Sequence, residues 1–151
     1  MSSKTAVLVA ERDSEWSGWV EPLGGESDDV VVVVQRRGET PGELATRVRE
    51  RVQELRLEGE ITAAALVGGA SWDDKTLSAR ALMVRAIVNE MVSAGGGRVY
   101  LDGGASTGRG RHAMAALAAV VETQLAQTGV DVVTASAAAQ QQQAQPLRRA
   151  A

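Results

Sequence analysis

Apolar residues in this chain fall into two patterns that alternate along it: short unbroken runs, and longer stripes recurring every three or four positions. Ala6-Val-Leu-Val-Ala10 is a run of the first kind, flanked by polar residues, and reads as a buried strand. Val30 to Val34 is five consecutive valines behind Asp28 and Asp29. β-Branched side chains suit a pleated surface, and an unbroken apolar run implies cover on both faces, so this strand is expected at the centre of a parallel sheet. Ile61 to Val67, Val99 to Leu101 and Val130 to Thr134 read as further strands. Residues 12–27, with Trp16, Gly18, Trp19, Pro22, Gly24 and Gly25, leave space for a turn, a hairpin or a helix of one or two turns, but not for a long crossover helix.

The stripes lie between the later strands. Thr40-Pro41-Gly42-Glu43 has the chemistry of a helix start: Thr40 caps, Pro41 sits where a missing N–H costs nothing, and Glu43 returns the capping-box bond. Leu44, Val48, Val52 and Leu55 follow on one face, and this helix is expected to end near Gly59. A second helix, from about Asp73 to Ser93, places Leu77, Ala81, Val84, Val88 and Met91 on one face, with Leu82, Met83 and Ile87 widening it. An arc this wide exceeds what one sheet face covers, so the helix is expected to pack on two sides or to meet a second copy of the chain. A third helix carries Met114, Leu117, Ala118, Val121 and Leu125 and stops at Gly129.

From the valine strand onward strands and helices alternate with short connections, which implies right-handed crossovers. The expected fold is α/β: a three-layer Rossmann-like or flavodoxin-like sandwich with a mostly parallel five-stranded sheet. Residues 1–134 form this single domain. The segment 135–151 carries alanines, Gln140 to Gln143, and Arg148 and Arg149 after Pro146. It lacks the periodic large apolar residues of a docked element and is expected to be a disordered low-complexity tail.

Composition narrows the chemistry. At 151 residues the chain is long enough for a core without metals or crosslinks. Cysteine is absent and His112 is the single histidine. That excludes disulfides, thiolate zinc sites, iron–sulfur clusters, a cysteine nucleophile and a multi-histidine metal site. A net charge of -3 argues against a nucleic-acid partner. No apolar run approaches the roughly 18 to 20 residues that span a bilayer, so no membrane partner is expected. Met1-Ser-Ser-Lys-Thr5 lacks the apolar core of a secretory signal, which points to the cytoplasm. Arg47, Arg49, Arg51 and Arg56 are interleaved with Glu43, Glu50, Glu54 and Glu58, the pattern of a solvated, ion-paired helix face. Trp16, Trp19 and Trp72 are expected in or beneath the core.

In open α/β sheets ligands bind beyond the carboxyl ends of the strands, so the loops that follow strands hold the candidate chemistry. The loop after the fourth strand is the most informative. Gly103, Gly104, Ser106, Thr107, Gly108, Arg109, Arg111 and His112 combine glycines that free backbone N–H groups, a helix N-terminus and positive charge, the parts of a cradle for a phosphate or carboxylate. The run approaches a P-loop, but Arg109 replaces the lysine and Gly110 the magnesium-binding hydroxyl. Gly69-Ala-Ser71-Trp-Asp73 is similar to a nucleophile elbow, but its final glycine is missing, and Ser71 or Asp73 is expected instead to cap the second helix. Glu11, Asp13, Asp73, Asp74 and Asp102 could gather as a magnesium-binding cluster, loosely like a phosphate-receiver pocket; the third strand, however, ends in Val67-Gly68-Gly69 without an acceptor aspartate.

A small five-stranded α/β domain with a glycine-rich loop after its fourth strand resembles the universal stress proteins in architecture. Gly103, Gly104, Gly108 and Gly110 do not reproduce the glycine spacing of that family, so the resemblance implies an outline of the fold and no shared motif. The sequence therefore leads to a small non-enzymatic α/β binding or interaction module that self-associates as a homo-oligomer. The alternative is a nucleotide- or phosphate-binding protein that holds a phosphate-containing small molecule in the loop from Gly103 to His112. No particular cofactor, catalytic residue or metal ligand is indicated.

Overall fold

The computed structural model describes residues 3–12, 16–68, 74–102, 116–119, 121 and 128–134. Strands β1 (Ser3–Ala10), β2 (Asp29–Val34), β3 (Gly59–Val67), β4 (Gly97–Asp102) and β5 (Val130–Thr134) form one sheet in the order β2-β1-β3-β4-β5. Each neighbouring pair is parallel. Helices α1 (Ser17–Gly24), α2 (Pro41–Glu58) and α3 (Asp74–Ser93) cross between strands, and residues 116–119 and 121 are also helical. The chain thus steps from β1 outward to β2, returns across β1 to β3, and continues in that direction. The reversal puts a topological switch point between β1 and β3.

Residue alternation divides the interior into two layers. The register between β1 and β3 shifts between Thr5↔Ile61 and Ala6↔Ala63, leaving Thr62 as a bulge. Beyond it, Val7, Val9, Ala64, Leu66, Val99 and Leu101 join Leu44, Val48, Val52 and Leu55 of α2 and Met83, Ile87 and Met91 of α3. Leu117, Ala118 and Val121 belong to the same cluster. On the other face Ala6, Leu8, Ala63, Ala65 and Tyr100 pack with Trp19 and Leu23 of α1. The alanines there leave depth for an indole, and Trp19 is fully buried. Trp16 packs against this cluster, as expected of a sub-core aromatic, whereas Trp72 lies outside the described residues.

One expectation changes, and one that was left open between two causes is met within a single chain. The valine strand is β2, and it lies at the edge of the sheet rather than its centre. Val31 and Val33 associate with the α2 cluster and Val30 and Val32 with the α1 cluster, so the unbroken run does report cover on both faces. A parallel edge strand with helices above and below has that cover with only one neighbour. The central position goes to β3, whose Ala63 to Val67 are all buried. The wide apolar arc of α3 is also explained within one chain. α3 shares its side of the sheet with α2 and with Leu117, Ala118 and Val121, which take up its flanks, while Leu82 and Val92 remain exposed.

Local chemistry sets the helix ends as the sequence suggests. Thr40 Oγ1 accepts from the Glu43 N–H at 3.1 Å, and Glu43 Oε1 accepts from the Thr40 N–H at 3.3 Å, completing the capping box with Pro41 in the first turn. Of the interleaved charges on α2, Arg51 and Glu54 pair at 3.0 Å. Arg47 instead reaches back to Glu39, and Arg56 donates to the Gly59 carbonyl. At the start of β4, Gly96 has φ +131 and a Cβ there would meet the Gly129 carbonyl at 2.5 Å, so only glycine fits.

Candidate functional site at the carboxyl edge of the sheet

β1 and β3 end side by side, where the Glu11 N–H donates to the Val67 carbonyl at 3.3 Å. Glu11 continues the side of Val7 and Val9, toward α2 and α3. There Arg80 of α3 donates from Nη2 to Glu11 Oε1 at 2.6 Å, with side-chain exposures of 5% and 15% for the two residues. The pair lies across the end of β3 because Gly68 has no side chain. A Cβ there would overlap Arg80 Nη2 and stand 2.8 Å from Glu11 Cδ.

The pair forms one wall of a cavity of about 290 Å³. Its other walls are aliphatic, with Val9, Pro41, Leu44, Leu66 and Met83, and polar at Gln35 and Thr76. The first turn of α2 and the early turns of α3 border it, bringing helix N-termini to the rim.

The connection from β2 to α2 holds Gln35 in place. Gln35 Nε2 donates to the Glu39 carbonyl at 2.8 Å, and its own N–H donates to the Ala10 carbonyl at 2.9 Å. Glu39 is in turn gripped by Arg47, from Nε at 2.9 Å and from Nη2 at 2.8 Å, and accepts the Arg36 N–H at 3.0 Å. The Arg47 hydrogen bonds, opposed in part by burial, hold the Glu39 carboxyl down at about 2, from 4.5. Gly38 makes the turn at φ +79.

On the opposite face of the sheet a second set of polar groups converges. Trp19 Nε1 donates to Asp102 Oδ2 at 2.7 Å, and the Trp19 and Tyr100 rings lie 5.0 Å apart at 40°. Tyr100 donates its hydroxyl to Glu26 Oε1 at 2.6 Å. Burial first, and the bond to Glu26 next, raise the phenol pKa above its ordinary value and keep it a donor.

The residues singled out in the sequence divide accordingly. Glu11 and Asp102 end on opposite faces of the sheet, one bound to Arg80 and the other to Trp19, so they do not share a cation site. Among the described residues no three His, Asp or Glu side chains gather closely enough to hold a metal ion. Gly103, Gly104, Ser106, Thr107, Gly108, Arg109, Arg111 and His112 lie outside the described residues, as do Asp13, Ser71 and Asp73. Arg80 was not singled out, yet it left a signal. It stands three to four residues ahead of Met83 and Val84 and seven ahead of Ile87, a charge on the apolar side of α3.

No protein family and no curated protein matches this chain. A solved structure titled as a short-chain dehydrogenase from Rhodopseudomonas palustris is similar in fold, with a TM-score of 0.53 at 12% identity over 91% of this chain and 87% of that one. Dinucleotide-binding Rossmann domains carry Gly-x-Gly-x-x-Gly after their first strand. Here that stretch reads Glu11-Arg-Asp-Ser-Glu-Trp16, without glycine and with three carboxylates. No helix among the described residues is long and apolar enough to cross a membrane. The likeness establishes an α/β, Rossmann-like fold, while the strand order is the flavodoxin-like one and the segment after β1 lacks the dinucleotide fingerprint.

Proposed function

We propose that this chain is a non-enzymatic α/β binding module whose ligand occupies the cavity at the carboxyl ends of β1 and β3. The observation that carries the reading is the coincidence of this cavity with the topological switch point, the place where open α/β sheets receive ligands. Its charged groups, Glu11 and Arg80, neutralise one another. A small uncharged ligand with an apolar body and one or two hydrogen-bonding groups is the best match to such walls. General acid–base or nucleophilic chemistry asks for a group free to move a proton or an electron pair, and here the two ionised side chains are engaged with each other. Thermal unfolding with nucleosides, hexoses and aliphatic alcohols, beside inorganic phosphate and ATP, tests the reading, because a ligand of the native state raises its stability. We expect a neutral compound to raise the melting temperature and Gln35→Trp, which fills the mouth, to abolish the rise. No response to any neutral compound, or a response that survives Gln35→Trp, overturns it.

A second reading is favoured by the end of β4. The Gly68 N–H donates to the Asp102 carbonyl at 3.0 Å, so the chain leaves β4 one strand away from the ion pair. A phosphate-containing ligand would then be held by the residues from Gly103 to His112, with Arg109 and Arg111 supplying charge. Calorimetry with phosphate and ATP on the unmodified chain and on Arg109→Ala/Arg111→Ala separates the two readings. Equal heats for both forms sink the second.

A further inference from the structure

We infer that the groove between α2 and α3 is a docking site for an acidic amphipathic helix of a partner protein. The groove has a volume of about 200 Å³ and shares no lining residue with the cavity at the sheet edge. Its walls are small on both helices, with Gly42 and Ala45 on α2 and Ala86 on α3, which lets a third helix approach closely. Leu82 lines it at 56% exposure, a large apolar side chain beside the polar Arg85 and Asn89. Such an anchor point in a shallow helical groove suits the apolar stripe of a short helix.

Charge selects the partner. Arg49 and Arg85 stand on the rim, one on each helix, and both are exposed. Neither makes a hydrogen bond or an ion pair among the described residues. The other arginines of α2 are all engaged: Arg47 with Glu39, Arg51 with Glu54, and Arg56 with the Gly59 carbonyl. On a chain whose net charge is -3, two uncompensated guanidinium groups flanking an apolar groove form a local positive site. A second copy of this chain is a poor occupant. In a two-fold contact centred on this groove the same positive rim, Arg49 and Arg85, would face itself. An acidic helix offers carboxylates to both arginines and an apolar residue to Leu82.

The test uses the full chain and a displayed library of random dodecapeptides. Peptides selected on the unmodified protein are expected to carry leucine or isoleucine at three- or four-residue spacing, with aspartate or glutamate beside them. Their affinity should weaken with added salt and fall about tenfold or more in Arg49→Glu/Arg85→Glu and in Leu82→Asp, as for loss of complementary charge and of an anchor. All the replaced side chains are exposed, and unchanged urea unfolding of the variants shows that the fold is kept. Selected peptides without acidic residues, or equal binding to the charge-reversed variant, overturn the proposal. Sedimentation showing a dimer that Leu82→Asp dissolves also overturns it, and assigns the groove to a second copy.

Discussion

Replacing Gly68 by alanine asks whether the end of β3 is shaped to seat the Glu11–Arg80 pair. The Gly68 φ is outside the left-handed region, so an alanine strains nothing in the backbone itself. Its Cβ would overlap Arg80 Nη2 and lie 2.9 Å from Glu11 Oε2. Carbon needs about 3.5 Å, so the guanidinium has to retreat by about 1 Å or more. Starting from an N···O distance of 2.6 Å, that takes the pair beyond hydrogen-bonding range. A hydrogen bond to a charged group is worth about 1.5–3 kcal/mol, and a buried charge left wholly uncompensated costs about 3–5 kcal/mol. Some relaxation is open to the end of a long side chain, so about 2 kcal/mol is expected for Gly68→Ala. In an Arg80→Met background the severe overlap is gone and only the Glu11 contacts remain. There the same replacement should cost about 0.5–1 kcal/mol, leaving a coupling of about 1 kcal/mol or more. Urea unfolding of the four proteins, followed by tryptophan fluorescence, measures it. An equal cost in both backgrounds refutes the reasoning, because it places the effect of the methyl group somewhere other than the ion pair.

The Glu39 carboxyl is lowered to about 2 in the folded chain from 4.5, so its contribution is fully present above about pH 4.5 and is lost as the pH falls toward 2. Glu39→Gln should cost roughly 1 kcal/mol near neutrality and flatten the acid limb of stability over that window, seen by urea unfolding at a series of pH values; an unchanged acid limb would contradict this. Thr40→Ala removes one half of the capping box and should cost about 1 kcal/mol, lowering the melting temperature by about 2–4 °C. Trp19→Phe deletes the donor to Asp102 and shrinks a fully buried ring, for an expected loss of about 3 kcal/mol in urea unfolding; a loss below about 1 kcal/mol would mean that the indole bond adds nothing measurable.

Most of the fold was legible because its signals are local. The five apolar runs, the Thr40 to Glu43 cap and the stripe of Leu44, Val48, Val52 and Leu55 each follow from residues within one element. The edge position of β2 was not legible, since five valines report what covers a strand above and below and carry no record of how many strands flank it. The width of the α3 arc was legible, but its cause was not, because a neighbouring helix and a second copy of the chain ask for the same apolar surface. At the candidate site, Glu11 could be read as a loop carboxylate, whereas its partner stands 69 positions along the chain. Only the break that Arg80 makes in the apolar side of α3 hinted at a buried charge. Gly68 looked like a strand stop, and its second role as the seat of that pair depends on contacts no local pattern encodes.

The edge position of β2 exposes the chain to a hazard of assembly. Gln35 turns its N–H toward β1, so by alternation the backbone groups of Val30, Val32 and Val34 point outward. One of these, the Val34 carbonyl, is occupied by Arg47 Nη2 at 2.6 Å. A β-branched run without proline or charge is a template onto which a foreign strand can add. Asp28 and Asp29 ahead of it and Arg36 and Arg37 behind it act as gatekeepers, making a stack of identical strands repel itself at both ends. Conditions that loosen α2 take Arg47 away from Val34 and lift the cover from Val31 and Val33 together. Partial opening of this one helix therefore converts the outermost strand into the segment through which unfolded copies stick to one another, and salt, by screening the flanking charges, hastens it.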